Sequence, residues 1–264
     1  MKHSFLDRYR EGDSLIHRLD PRLKLLGTLA FILVVTNIPA QGWPAFLLMA
    51  GLALLLVRLA EIPLLEALKR SSIALPFAGV VALSVPFTRA GTVLWQARLG
   101  SWTLSVTDAG LALFLSVVVK AWLAVLMSGL LVGTTPFPQL LKAMRALHVP
   151  APLVSTISFM YRYLFVLVDE AMRLQTAREA RSVGSGRTVW WRAKVLGGMI
   201  GSLFIRSYER SERIYAAMLS RGFAGEIRSL EQLTWQRRDW LAGLSWSALL
   251  LAAFVLGRLI SGGE

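Results

Sequence analysis

Apolar positions along the chain fall into long blocks, and charged residues punctuate them. Asp, Glu, Lys and Arg are absent from Leu25 to Val57. Within that run "NIPAQGWP" (37–44) holds two prolines and a glycine, so the pattern predicts two short helices joined by a turn. Ser71 to Thr88, containing Pro76 and Pro86, is the next uncharged run. Ala109 to Leu141 follows, interrupted only by Lys120, and Trp240 to Gly257 is the last. A crossing takes about 20 mostly apolar residues. The pattern predicts an all-α polytopic membrane protein with about five transmembrane helices.

The stretch before the last span has a different rhythm. "TTPFPQLLKAMRALHVP" (134–150) starts with Thr and Pro and stops at Pro150, which fits a short amphipathic helix. Ile157, Tyr161, Leu164, Val168, Ala171 and Gln175 then recur at spacings of three and four. This periodicity predicts one long helix near 151–182, apolar first and charged later. "VGSGRT" (183–188) breaks it. A second long helix near 188–221 repeats the plan, from Trp190 and Trp191 through Leu203 and Phe204 to "RSYERSERIYAAMLSRG".

Composition agrees with a membrane location: 55% of the 264 residues are hydrophobic and mean hydropathy is +0.55, too apolar for an ordinary soluble domain. A net charge of +13 raises nucleic acid as a partner, but long uncharged stretches separate the basic clusters, which argues against it. With the N-terminus inside, five spans put 25 of the 29 Lys/Arg on the cytoplasmic side. Counting Val149 to Val168 as a sixth span would carry the large basic cluster between Asp169 and Asp239 outside, against the positive-inside bias. The expected organisation is four spans in 1–135, a cytoplasmic helical block in 136–238 lying in or against the membrane, and a C-terminal span in 239–264. The charged region before Leu25 argues for a retained N-terminus rather than a cleavable signal. With no cysteine, disulfides and thiolate metal sites are excluded.

Both long helices finish in the same way, with an arginine between small residues and a glycine close behind: "ARS" (180–182) before Gly184, and "SRG" (220–222). Each ending reads as a simple cap, with arginine facing the negative end of the helix dipole and glycine turning left-handed. Their repetition supports a second reading. Unshielded by Ala180, Ser182, Ser220 and Gly222, the Arg181 and Arg221 guanidiniums present rigid forks to carboxylates on two similar partners. "GGMIGS" (197–202) gives Gly197 and Gly201 as a small-residue face, where the two long helices are expected to cross. The alternative is that these glycines only accommodate a kink.

Taken in order, "SLIHRLDPRLKLL" (14–26), "LPFAGVVALSVPFT" (75–88), "TTPFPQLLKAMRALHVP", "FMYRYLFVLVDEAMRL" (159–174) and the two arginine motifs resemble the transmembrane (T) component of energy-coupling-factor transporters, in the cobalt/nickel, CbiQ-like branch. The resemblance implies a non-catalytic scaffold in a bacterial or archaeal cytoplasmic membrane. It would link two cytoplasmic ATP-binding-cassette ATPases to a membrane substrate-binding (S) subunit, for cobalt or nickel uptake. Arg181 and Arg221 would dock into the ATPases, with Ala180, Ser182, Ser220 and Gly222 shaping the fit. ATP and Mg would be used by the partners, and this chain would bind no cofactor. Ser220 stands where the family commonly has alanine, a small-for-small change.

Other residues carry less. Lys120, inside a span, is a functional candidate by default, with snorkelling or pairing inside the bundle as the alternative. His3, His17 and His148 lack ligand spacing, so no metal site is expected. "HRLDPR" (17–22) is expected to fix the entry to the first span, with Pro21 ending the preceding segment and Arg22 and Lys24 facing lipid phosphates. Asp169 and Glu170, adjacent on a helix, read as helix-surface charge. "GSGRT" (184–188) lacks the phosphate-cradling arrangement, so ATP hydrolysis by this chain is not expected. The rival readings are a self-sufficient secondary transporter, which needs discontinuous helices and embedded ionisable sites, and a membrane-bound enzyme, for which no catalytic cluster is visible.

Overall fold

A computed structural model describes residues 9–10, 12–88, 92–99, 102–181, 188–225 and 233–261. Along the chain run α1 (Pro21–Asn37), α2 (Trp43–Leu59), α3 (Leu64–Ser71), α4 (Ala74–Ala82), α5 (Val85–Thr88), β1 (Val93–Leu99), β2 (Trp102–Thr107), α6 (Asp108–Thr134), α7 (Phe137–Ala146), α8 (Ala151–Arg181), α9 (Val189–Leu219) and α10 (Arg237–Ser261). The protein is an all-α polytopic membrane protein carrying one small β-hairpin. Among the described residues, four stretches are apolar and long enough to cross a bilayer: Leu64–Phe87, Asp108–Thr134, Ala151–Arg181 and Arg237–Ile260, with the apolar Trp43–Leu59 shorter. The chain divides into two compact units. Residues 144–232 belong to one, and 4–143 with 233–264 to the other.

The second unit is organised around α6, which packs against α1, α2, α3, α4 and α5, while α10 packs on α1 and α2. Its core is aliphatic and aromatic: Phe31, Val35, Ile38, Met49, Val57, Leu123 and Leu126 are all buried. Large apolar side chains also point outward, among them Leu47, Phe77 and Val80. That inside-and-outside apolarity is what a helix in lipid requires. The break at 37–44 occurs where expected: α1 stops at Asn37, and Pro44 sits in the first turn of α2. A β-carbon on Gly110 would come within 2.8 Å of Pro86 Cα, so α5 and the start of α6 meet backbone to backbone.

In an apolar solvent the unpaired carbonyls at helix ends have to find donors within the protein. α1 and α6 solve this reciprocally. Lys24, in the first turn of α1, donates from Nζ to the Thr134 carbonyl ending α6 (3.1 Å) and to the His17 carbonyl (3.2 Å). Lys120 of α6 donates to the Thr36 carbonyl at the end of α1 (2.9 Å) and lies 5.8 Å from the Phe46 ring centroid. The embedded lysine thus pairs within the bundle.

Helix starts are tied together as well. Pro21 opens α1, and Asp20 caps it by accepting from the Arg22 N–H at 2.8 Å. Asp239, fully buried in the first turn of α10, accepts from the Gln236 N–H (2.9 Å) and from the Asp20 N–H (3.1 Å). One carboxylate therefore serves the first backbone donors of two helices, the Gln236 bond being half of a capping box. Ahead of α1, His17 donates from Nε2 to the Arg10 carbonyl and accepts at Nδ1 from Ser14. Burial lowers its pKa and favours this neutral, doubly bonded form.

The β1–β2 hairpin was not among the expected elements. Its strands pair antiparallel from Val93↔Thr107 to Leu99↔Trp102, with an irregularity between Val93 and Trp95. It leads directly into α6, whose N-cap Thr107 accepts from the Gly110 N–H.

Removing one lysine of the reciprocal pair leaves a helix-end carbonyl without its donor. Lys120→Met is expected to lower the stability of the purified chain by about 1 kcal/mol, read as a lower thermal midpoint in detergent, and Lys120→Arg to retain most of it.

Candidate coupling site

The unit 144–232 contains the candidate site. After α7, the chain turns at His148, whose φ is +66°. Its N–H bonds the Arg145 carbonyl and the Val149 N–H the Met144 carbonyl, the double bond pattern of a left-handed helix stop. Histidine tolerates that conformation better than most side chains. Helices α8 and α9 follow and pack on each other, near the predicted 151–182 and 188–221.

Arg181 is the last residue of α8 and is exposed, as is Ala180; Ser182 and Gly184 lie outside the described residues. At the other tip the geometry is complete. Gly222 has φ +77°, its N–H bonds the Leu219 carbonyl (3.0 Å), and the Phe223 N–H bonds the Met218 carbonyl (3.1 Å). Phe223 then packs edge-on against Phe159 of α8, ring centroids 6.0 Å apart. Through this ring contact the residue after the glycine ties the stop to a second helix. Ser220 folds its hydroxyl back onto the Ala217 carbonyl, leaving the exposed Arg221 side chain between small neighbours.

Two contacts fix the sense of the helix pair. Phe159, near the start of α8, meets Phe223 just past α9, and Glu170 of α8 accepts from Arg206 of α9 at 2.9 Å. The helices therefore run antiparallel, and Arg181 and Arg221 lie toward opposite ends of the pair. At about 1.5 Å per residue, the piece of α8 from Phe159 to Arg181 is about 33 Å long. Glu170 is thus more than the surface charge expected of it: it joins the two helices.

The expectation that α8 and α9 cross at Gly197 and Gly201 is corrected. A β-carbon added to either glycine, or to Gly198, would meet nothing within 4 Å. The described contacts between the helices lie closer to the α9 C-terminus, where Arg206 and Phe223 supply a charge and a ring that no glycine can. α9 has no buried residue, and Trp190, Ile200 and Phe204 are among its exposed apolar side chains. An uncovered apolar surface of this kind marks a contact with lipid or protein.

Among the described residues, no group of three His, Asp or Glu side chains comes together as a metal site. His17 and His148 serve the turns described above, and His3 lies outside the described residues.

Comparison with known proteins adds to this geometry. The family model CbiQ, described as "Cobalt transport protein", matches residues 12–233. The energy-coupling factor transporter transmembrane protein EcfT of Lacticaseibacillus paracasei is 32% identical over 255 residues, covering 92% of this chain and 94% of its own. EcfT of Listeria innocua is 32% identical over 235 residues, covering 85% and 86%. An uncharacterized protein of Methanocaldococcus jannaschii is 29% identical over 256 residues, covering 96% and 86%.

The Arg221 tip depends on a left-handed residue that only glycine adopts freely. Gly222→Val is expected to cost on the order of 1 kcal/mol at that stop, seen as faster amide hydrogen exchange at Phe223, with Gly222→Asn intermediate.

Proposed function

Because this chain belongs to the CbiQ family of cobalt transport proteins and is a transmembrane component of the energy-coupling-factor type, we propose that it passes movement from two cytoplasmic ATPases to a membrane substrate-binding subunit. Arg181 and Arg221 are the docking contacts, each offering a guanidinium to a carboxylate on one ATPase. Ala180, Ser182, Ser220 and Gly222 keep the two tips slender enough to enter a groove. ATP and Mg bind the partners, and the chain itself is non-catalytic. Cobalt or nickel is the cargo, carried by the substrate-binding subunit.

The observation that carries this reading is the antiparallel pair with one exposed arginine toward each end. A single partner would be served by one tip; tips on the order of 30 Å apart suit two similar partners side by side. As those partners close or part, the pair joined at Glu170–Arg206 and Phe159–Phe223 turns as one piece. The exposed apolar face of α9 offers the substrate-binding subunit a surface on which to feel that turn, and Gly197 and Gly201 permit close approach of a partner helix.

In this reading the N-terminus and residues 136–238 are cytoplasmic, supported by the excess of Lys and Arg they carry. A self-sufficient secondary transporter would need Lys120 as an ion-handling group, yet that lysine is committed to the Thr36 carbonyl.

Arg181→Ala and Arg221→Ala should each weaken capture of the ATPases in pull-downs and slow metal uptake in cells, and the double variant should abolish both. Arginine-to-lysine changes should rescue partly, since lysine keeps the charge and loses the fork. Full uptake with both arginines removed would overturn the docking role.

A further inference from the structure

A cleft of about 390 Å³ opens in the second unit between α1, α2, α6 and α10. It is apolar through most of its depth, walled by Leu23, Leu55, Leu131 and Trp246, and Leu55 is more than half exposed. Basic groups bound it at one end. Lys24 and Arg238 line it there, in the first turns of α1 and α10. Lys24 is spent on two carbonyls. Arg238 is exposed and, among the described residues, donates one bond, to the Arg18 carbonyl, out of the five a guanidinium offers.

Three properties identify the occupant. The volume is that of a small-molecule site, roughly 300–1,000 Å³, and too small for a helix about 10 Å across. The walls belong to membrane helices, so what reaches them laterally is hydrocarbon. The charge is positive and confined to the level of the helix ends, where lipid headgroups lie. We propose that this cleft holds an acyl chain of an anionic phospholipid, with Arg238 meeting its phosphate. The leaflet is the one facing the N-terminal ends of α1 and α10. The lipid wedges α1, α2, α6 and α10 at that level and fills space their own side chains leave open. This site rests on the membrane embedding of the second unit and is independent of the coupling role of Arg181 and Arg221.

The test is native mass spectrometry of the full chain purified in detergent with equal amounts of phosphatidylglycerol and phosphatidylcholine of identical acyl chains. One lipid is expected to stay bound, with phosphatidylglycerol favoured roughly five-fold, the size of one basic contact at a headgroup. Arg238→Gln should bring the two lipids close to parity without losing the bound lipid, and Arg238→Lys should keep the preference. Ala242→Trp, which fills the cleft, should expel both lipids. Absence of a retained lipid, a wild-type chain indifferent to headgroup, a preference that survives Arg238→Gln, or a retained mass equal to a second copy of the chain would each overturn the proposal. Should one variant fail to fold, the wild-type preference and the remaining variants still decide.

Discussion

A helix that ends within reach of lipid exposes carbonyls that no water will satisfy, and this constraint shapes the unit built on α6. Its answer is an exchange between two antiparallel helices, each supplying a lysine to the other's last turn. The opposite problem, free N–H groups at helix starts, is met by Asp20 and by the buried Asp239 carboxylate shared between α1 and α10. Between those ends the interior is apolar, with Phe31, Met49 and Leu123 buried in it. The polar contacts are few, and they determine which helix ends stand together.

The other unit is governed by different physics. α8 and α9 bury little: α9 has no buried residue, and the contacts that join the pair include the Glu170–Arg206 ion pair and the Phe159–Phe223 ring contact. A helix pair packed in this way presents surface on several sides. One well-defined feature sits at the end of α9. There the α9 stop is complete down to the Phe223–Phe159 contact, so Arg221 projects from a finished structure rather than from a fraying turn.

Much of this was legible in the sequence because it is local. Uncharged runs, Pro and Gly punctuation and three-four periodicity located α7, α8, α9 and the 37–44 break, and "SRG" announced the left-handed stop at Gly222. What escaped was either non-local or chemically unmarked. Lys120 and Thr36, or Asp20 and Asp239, are separated by most of a domain in sequence, and no spacing rule links them. Glu61 and His148 take left-handed conformations at φ +57° and +66°, ending α2 and α7 with the same paired bonds as Gly222, but neither residue type signals it. The hairpin had a faint signal, alternating apolar and polar residues in "WTLSVT", overshadowed by the longer helical blocks around it. At Gly197 and Gly201 the small-residue pattern was real, yet a pattern says only that close approach is allowed.

The lysine exchange also acts as a gauge. Lys24 and Thr36 mark off one interval on α1, Lys120 and Thr134 another on α6, and both contacts close only when the intervals match. Deleting a single residue inside either interval would turn one end by about 100° relative to the other, swinging a lysine away from its carbonyl. The lengths of these two helices are therefore coupled, so a change in one can persist only with a compensating change in its neighbour.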